Sequence, residues 1–238
     1  MSLRTLIKKA VMPFMRGRWV DIRPNDYVIV SYPRSGNTML RYALAYILAQ
    51  GKSASYKQAD IFVPDIYIAS NYQLSRTPAP RYVKSHECFQ PHYRKVLYLV
   101  RNPRDVAISY YNYKHIRGEI DKAMSFEEFL NNFLDGGVDR FGAWPDHVAS
   151  WLSVERTEAD FKLVQYEHLL ADKKTVLRDI CEFLNIAVTD DVLDKTVDVT
   201  DVQKMHQQWQ KENGNKKAVD DFSKKTRIEI VLNDIHEQ

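Results

Sequence analysis

The sequence predicts a single α/β domain in which helices flank a central parallel sheet. Apolar, β-branched runs typical of buried strands occur four times, and stretches of helical periodicity lie between them. Strands that alternate with helices pair in parallel, because each helix carries the chain back across the sheet. A length of 238 residues and a hydrophobic content of 45% suffice for one large core. The predicted strands are Tyr27–Ser31, Tyr82–Ser85, 96–100 and 162–165.

The first and third strands each lead directly into a helix. The first passes through a short polar loop into a predicted helix over residues 38–50, which Gly51 ends. After the third strand, Asn102 can cap a helix and Pro103 suits its first position, so we expect a helix from Pro103 to about residue 116. Further predicted helices cover 126–134, which a Ser-Phe-Glu-Glu capping box opens, 144–155, and an amphipathic stretch after residue 172.

Charge and cysteine content exclude several classes of protein. The chain has 34 basic and 31 acidic residues, a net charge of +3 that disfavours a purely electrostatic nucleic-acid binder. Two cysteines without a CxxC spacing predict neither a disulfide framework nor a zinc site, and they suit a reducing cytoplasm. No run approaches the roughly 18 apolar residues of a spanning helix, and no signal peptide is expected.

The basic excess lies at the N-terminus. Residues 1–20 contain five basic residues and no acidic ones, so the rest of the chain carries slightly more acidic than basic groups. Apolar and basic positions alternate over residues 3–15, and such a segment could lie peripherally on an anionic membrane surface. We favour the simpler interpretation, a basic helix packed on the domain.

The loop after the first strand has the properties of an anion site. Its sequence, Tyr-Pro-Arg-Ser-Gly-Asn-Thr at residues 32–38, is not a Walker loop, since it has one glycine and its cation precedes that glycine. Gly36 nevertheless lets the backbone approach a ligand, and Arg34 supplies a planar cation. Strand, polar loop and helix form a P-loop-like arrangement that presents backbone N–H groups to a phosphate. Taken alone, the pattern also fits an ordinary capped turn.

A second segment makes the pattern specific. Residues 31–38 (Ser-Tyr-Pro-Arg-Ser-Gly-Asn-Thr) resemble the phosphosulfate loop of sulfotransferases that use 3'-phosphoadenosine 5'-phosphosulfate (PAPS), and residues 98–111 resemble that family's 3'-phosphate segment. The likeness continues through Lys-Ser-His at 84–86, residues 141–151, 165–169 and 200–205, and so covers roughly residues 27–206. The resemblance implies a basic N-terminal segment over 1–22 and a sulfotransferase domain over 23–238.

The resemblance assigns chemistry to three side chains. His86 matches the family's catalytic histidine, and a neutral imidazole is well suited to take the proton of an attacking hydroxyl near pH 7. Lys84 would stabilise developing charge from the same strand face. Arg34 would stabilise the bridging oxygen as it leaves, by its charge alone, because arginine keeps its proton at neutral pH.

The resemblance also implies nucleotide contacts. Arg101 and Ser109 would hold the 3'-phosphate, and Tyr166 and Thr200 would lie on the adenine side. The remaining contacts would come from the loop and the start of its helix: Arg34, Ser35, Gly36, Asn37, Thr38 and Met39. The helix face formed by Trp144, His147, Val148 and Trp151 we assign to packing in preference to acceptor binding.

The C-terminus departs from the family pattern. The glycine- and tryptophan-containing clamp on the 3'-phosphate is absent, and Lys216 and Lys217 either replace it or form a solvated charge run. The resemblance implies PAPS as co-substrate, no metal, a small-molecule or glycan acceptor with a hydroxyl, and no nucleic-acid partner. The acceptor and the oligomeric state stay open.

Two other functions remain as alternatives. A P-loop-type kinase of small molecules would also use a strand, loop and helix, but the Walker lysine and an obvious magnesium-holding aspartate are missing. A nucleotide-binding module without activity would fit the altered C-terminus.

Overall fold

The computed structural model describes residues 21–213, so the basic N-terminal segment and both C-terminal lysines, Lys216 and Lys217, lie outside the described residues. The strands are β1 (Tyr27–Ser31), β2 (Tyr82–Ser85), β3 (Lys95–Val100) and β4 (Phe161–Gln165). The helices before β3 are α1 (Asn37–Leu48), α2 (Tyr56–Phe62) and α3 (Asn71–Arg76). Those that follow β3 are α4 (Pro103–Ile116), α5 (Phe126–Leu134), α6 (Trp144–Leu152), α7 (Tyr166–Ala171), α8 (Lys173–Phe183), α9 (Asp190–Val199) and α10 (Val202–Asn213).

Within residues 21–213 the strands form one four-stranded sheet in the order β2-β1-β3-β4, and every pairing is parallel. The predicted α/β class with a central parallel sheet is therefore confirmed. Because all strands point the same way, their carboxyl ends meet at one edge of the sheet, where ligands bind in open α/β folds.

Both faces of the sheet are covered, as a parallel sheet requires. Side chains of β1 alternate between the faces: Ile29 belongs to a cluster with α1, α8 and α9, whereas Val28 and Val30 belong to a cluster that includes Trp151 of α6. A third cluster, centred on Tyr32, packs α4 against α5. The core thus holds β1 rigidly at the centre of the molecule.

The helix starts follow local capping rules. Asn102 accepts a hydrogen bond from the backbone N–H of Arg104, and Ser125 forms the predicted capping box with Glu128. The predicted helix over 38–50 begins one residue earlier and ends at Leu48, because Gln50 and Gly51 adopt positive φ angles of 54° and 69°. The helix predicted over 144–155 ends at Leu152.

In the part of the chain that is described, no helix is both long and apolar enough to cross a membrane. Over the same residues, no group of three or more histidine, cysteine, aspartate or glutamate side chains is arranged to hold a metal ion.

Candidate active site

Several of the predicted site residues gather at the carboxyl edge of the sheet. The strand ends lie side by side, because Val30 pairs with Ser85, Ser31 with Leu99 and Val100 with Gln165. Each strand is followed directly by a predicted site residue or by the anion loop. The residues that follow β1, β2, β3 and β4 are Tyr32, His86, Arg101 and Tyr166, respectively.

The loop between β1 and α1 turns sharply over two residues with left-handed backbone. Arg34 has φ 70° and Gly36 has φ 94°. A Cβ atom on Gly36 would lie 2.3 Å from the ring of Tyr166, so only glycine fits against this ring. Gly36 is also the N-cap of α1 and gives no side-chain cap, which leaves the first N–H groups of the helix available to an anion.

Buried polar atoms beside the loop lack partners. The Oγ of Ser35 and the Nε of Arg101 are buried and have no hydrogen-bond partner among the described residues. Such atoms cost free energy unless a ligand or water satisfies them. Both can donate to an oxyanion, so the loop and Arg101 fit a phosphate- or sulfate-bearing ligand.

Arg34 is held by helix α4. The Cζ of its guanidinium group lies 4.5 Å from the centroid of the Tyr113 ring, and its Nε donates to the Oγ of Ser109 at 3.3 Å. Burial lowers the pKa of Arg34 from its ordinary value, and the charge of Arg101 adds to this effect. An arginine nevertheless stays protonated near pH 7. The structure thus brings Arg34 and Ser109 together, near Arg101.

Arg101 links three strand ends. Its Nη1 donates to the backbone oxygen of Arg34 at 3.2 Å, and its guanidinium lies 4.7 Å from the centroid of the Tyr166 ring. Asp105, one helical turn further on, is 3.9 Å from Nη2 and more than half exposed, so it gives only weak compensation for the charge. Net positive charge remains between Arg34 and Arg101, which favours a multiply charged anion.

His86 is fixed at three of its four polar atoms. Its backbone N–H donates to Tyr67 Oη at 2.7 Å, its backbone oxygen lies 3.0 Å from His147 Nε2, and its Nδ1 lies 2.6 Å from the backbone oxygen of Ser31. A carbonyl oxygen can only accept a hydrogen bond, so Nδ1 carries the proton in the neutral ring. No described residue bonds to Nε2, so its lone pair can accept a proton from a ligand.

The surroundings of His86 keep the ring neutral. Burial lowers its pKa well below 6.5, and the nearby charge of Lys84 lowers it further. Tyr67 stacks on the imidazole with ring centroids 6.1 Å apart, and Phe141 meets it edge-on at 5.4 Å. The ring is therefore oriented on both sides by aromatic side chains.

Lys84 forms a nearly buried ion pair. Its Nζ lies 2.6 Å from Oδ2 of Asp65 and 5.2 Å from the centroid of the Tyr67 ring. Burial lowers the pKa of Lys84, while Asp65 opposes that shift. The structure thus places the predicted charge stabiliser near His86, with a partner that the sequence did not reveal.

His147 supports the backbone below His86. Since its Nε2 faces the carbonyl oxygen of His86, it carries the proton there, and Tyr98 Oη donates to its Nδ1 at 2.9 Å. Burial lowers the pKa of His147 to about 4. Trp151, one turn later on α6, donates to the backbone oxygen of Glu87 at 3.0 Å. The helix face assigned to packing does pack, and it also holds the loop that carries His86.

Other predicted contacts lie in different surroundings. Met39 is buried in the core cluster that includes α8, and Thr38 is exposed at the start of α1. The Thr200 hydroxyl is buried and donates to the backbone oxygens of Thr196 and Val197. The backbone oxygen of Thr200 accepts from Lys173 at 3.0 Å. Its contacts therefore join α9 and α8 rather than the anion loop.

Three residues of the site escape prediction from sequence. Asp65 and Tyr67 lie in the irregular connection between α2 and α3, where no periodicity marks them. Tyr113 follows Ser109 by four residues on α4, and that spacing does place the two side chains on one helix face. Only Tyr113 therefore left a usable signal.

Comparison with known proteins settles the family. A family model described as "Sulfotransferase domain" matches residues 24–230. The chain belongs to the sulfotransferase family. Its relatives include Sulfotransferase 2B1 of Mus musculus, 32% identical over 187 residues that cover 74% of this chain and 55% of the relative. Sulfotransferase 2A1 of Homo sapiens is 34% identical over 174 residues, 68% of this chain and 60% of the relative.

Solved structures agree with the sulfotransferase fold. Mouse sulfotransferase SULT7A1, crystallised in complex with PAP, is 26% identical and has a TM-score of 0.60. The match covers 78% of this chain and 67% of the mouse chain. A retinol dehydratase in complex with androsterone and PAP is 21% identical and has a TM-score of 0.62, with 78% and 66% covered, and shows likeness of fold. This sulfotransferase-family chain spans between about half and two thirds of these relatives.

Proposed function

We propose that the chain transfers the sulfuryl group of PAPS to the hydroxyl of an acceptor, with His86 as the general base. One observation carries the proposal: among residues 21–213, every polar atom of His86 has a protein partner except Nε2, and the ring is joined to the end of the strand that precedes the anion loop. A base fixed in this way is ready to receive a proton beside a bound oxyanion.

The anion loop supports PAPS as the donor. PAP is bound in the mouse relative. In this chain the unpartnered Ser35 Oγ and Arg101 Nε can each donate a hydrogen bond to an oxygen of a bound phosphate or sulfate group. The N–H groups at the start of α1 and the charge of Arg34 would bind the phosphosulfate. Arg101 and Ser109 would hold the 3'-phosphate, and the Tyr166 ring between Gly36 and Arg101 would lie toward the adenine.

The proposed transfer needs no groups other than PAPS, the acceptor and these residues. PAPS supplies a sulfuryl group that is already activated by its phosphate leaving group. The acceptor oxygen forms a bond to sulfur while the bond from sulfur to the bridging phosphate oxygen breaks, and the hydroxyl proton passes to Nε2 of His86. Arg34 and Lys84 would stabilise the charge that develops, as in loose phosphoryl transfer. The products are a sulfate ester and adenosine 3',5'-bisphosphate.

The acceptor would approach the aromatic side chains that flank His86. Tyr67 and Phe141 contact the imidazole from two sides. We propose a small molecule or glycan that presents one hydroxyl beside these rings. The loops that would bind the rest of the acceptor vary readily in such folds, so its identity is a matter for experiment.

The decisive experiment supplies radiolabelled PAPS and a panel of phenols, sugars and lipids, and detects sulfated products. His86→Ala should reduce transfer by roughly 10²–10⁴-fold, the contribution of a general base, while affinity for PAP stays near that of the unaltered chain. His92→Ala is the matched control, because His92 is exposed beyond the opposite edge of the sheet, just before β3.

Three results would contradict the proposal. Full activity of His86→Ala would exclude His86 as base. Transfer of phosphate from ATP with magnesium, without any sulfate transfer, would identify the chain as a kinase. Binding of PAP without turnover on any acceptor would favour a nucleotide-binding module.

A further inference from the structure

Asp65 is connected to two of the side chains that surround the proposed base, Lys84 and Tyr67. Its Oδ2 accepts a hydrogen bond from Lys84 Nζ at 2.6 Å, and its Oδ1 accepts one from the backbone N–H of Tyr67 at 2.9 Å. Tyr67 Oη in turn accepts from the backbone N–H of His86. One carboxylate therefore fixes the ammonium group of Lys84 directly and the backbone of His86 through a single intermediate residue.

The backbone around Asp65 is fastened to the edge strand of the sheet. The N–H of Lys84 donates to the backbone oxygen of Pro64 at 2.9 Å, and the N–H of Ile66 donates to the backbone oxygen of Lys84 at 3.2 Å. These bonds make an isolated parallel bridge between Asp65 and Lys84. The two side chains therefore start from adjacent, paired backbone positions, and their ion pair has little freedom to change partners.

Both members of the ion pair are almost inaccessible to solvent. Lys84 is 9% exposed and Asp65 is 7% exposed. An ammonium group at such a position, left without a partner, would favour its neutral form because it has lost most of its hydration. A carboxylate at hydrogen-bond distance compensates for this loss.

We propose that Asp65 is a positioning residue for sulfuryl transfer, which holds Lys84 as a charged ammonium group near His86 and keeps Tyr67 against the His86 backbone. The proposal rests on the proposed function. The charge state of Lys84, however, can be measured without turnover.

The charges around Lys84 define the expected effect of removing Asp65. Burial lowers the pKa of Lys84, and Asp65 is the group that raises it. Without the carboxylate, the pKa should fall further, because the neighbouring arginines also lower it. The ionisable groups that face Lys84 are Asp65 and Tyr67 after α2, Arg41 of α1, Arg140 before α6, and His86 after its own strand.

The variant Asp65→Asn removes the negative charge of Asp65 and keeps its hydrogen-bond acceptor. The amide oxygen can still accept from the backbone N–H of Tyr67, but the charge that faces Lys84 is gone. We expect kcat at pH 7 to fall by about 10²-fold, as for a misplaced catalytic group, with KM for PAPS little changed. Since Lys84 acts while protonated, activity is lost as pH rises through its pKa, and this alkaline limb should move to lower pH. Asp60→Asn, which alters the Asp60–Arg41 pair at an exposed carboxylate, should leave the limb in place.

A readout independent of activity follows the charge directly. The protein is produced with lysine labelled with ¹³C and ¹⁵N, the side-chain Cε and Nζ signals are titrated by NMR, and Lys84→Met identifies the Lys84 signal. In Asp65→Asn that signal should titrate at lower pH than in the unaltered chain. An unchanged titration together with an unmoved alkaline limb would overturn the proposal.

A double variant guards against loss of folding. Removing one partner of a buried ion pair can destabilise a protein strongly, whereas removing both is often tolerated. The variant Asp65→Asn with Lys84→Met should therefore fold, and its kcat should equal that of Lys84→Met alone if Asp65 acts through Lys84. A clearly lower kcat in the double variant would overturn this route. A lowered Lys84 titration in a chain that transfers no sulfate would refute the proposed function and confirm the coupling of Asp65 to Lys84.

Discussion

The Nδ1 atom of His86 lies 2.6 Å from the backbone carbonyl oxygen of Ser31 and joins the residue after β2 to the last residue of β1. This hydrogen bond assigns the proton of the neutral ring to Nδ1 and leaves Nε2 as an acceptor. The ring therefore has the tautomer that a general base at Nε2 needs before any ligand binds. The pH dependence of the reaction follows from this arrangement.

The acidic limb of the rate profile should lie well below pH 6.5. The proposed base acts in its neutral form, so activity is lost as pH falls through the pKa of His86, and burial has lowered that pKa. The measurement is kcat/KM for PAPS-dependent transfer between pH 5 and pH 8 at constant ionic strength. A midpoint at or above pH 6.5 would show that the ring is not held neutral as described.

Arg101→Ala should weaken nucleotide binding. The variant removes a charged donor with a buried, unpartnered Nε, and charge-assisted hydrogen bonds of this kind are worth about 1.5–3 kcal/mol, or roughly 10- to 100-fold in affinity. Isothermal titration calorimetry with PAP measures the change. Arg104→Ala, which alters an exposed arginine at the start of the same helix, serves as control. Equal affinity of both variants for PAP would show that Arg101 does not bind the 3'-phosphate.

Gly36→Ala should be more destabilising than Gly118→Ala. Both glycines have positive φ, 94° and 64°, so each alanine has a backbone cost of about 1–2 kcal/mol. Only at Gly36 would the new Cβ meet another group, the Tyr166 ring at 2.3 Å, whereas at Gly118 nothing lies within 4 Å. Overpacking should add about 1–3 kcal/mol at Gly36. Urea unfolding measures the difference, and equal free energies would show that the Tyr166 ring moves away freely.

His147→Gln should make the protein less sensitive to acid. The folded-state pKa of His147 is about 4, below the value of about 6.5 expected in the unfolded chain. Below pH 6.5 the unfolded chain therefore binds the proton first, and the unaltered protein loses stability as pH falls toward 4. By linkage the loss from this group is about 2 kcal/mol at pH 5.

Glutamine keeps the hydrogen bond to His86 and removes the titrating group. Its amide can donate to the His86 carbonyl in place of Nε2, and it cannot take up a proton in this range. Urea unfolding at pH 7 and pH 5 gives the comparison. If the free energy of unfolding falls equally in both proteins, His147 is not the group that titrates.

Sequence patterns predicted the sheet well because its two central strands, β1 and β3, are largely apolar and buried. β1 and β2 have the predicted bounds, and β3 and β4 each begin one residue earlier than predicted. The short helices α2 and α3 escaped, because six or seven residues carry too little periodicity to detect. Each does begin with a Ser-x-x-Gln pattern whose serine caps the helix, a signal that was available.

Three of the predicted site residues, His86, Arg101 and Tyr166, follow strands directly. His86 and Arg101 could be placed because the carboxyl ends of parallel strands meet at one edge. Asp65 could not, since its relation to Lys84 depends on a bridge between an irregular segment and an edge strand. Contacts of that kind have no periodic signature and emerge only from the folded chain.

The pairing of β1 with β2 sets the position of the anion loop relative to His86. The anion loop and His86 follow neighbouring strands whose relative position is set by backbone hydrogen bonds, and Tyr67 and His147 then fix the backbone of His86. Under the proposed function, acceptor-facing segments other than the one that carries Tyr67 would be exchangeable without moving the donor relative to the base. For protein engineering, a chain that works as proposed would be a scaffold in which acceptor choice is redesigned while the reaction geometry is kept.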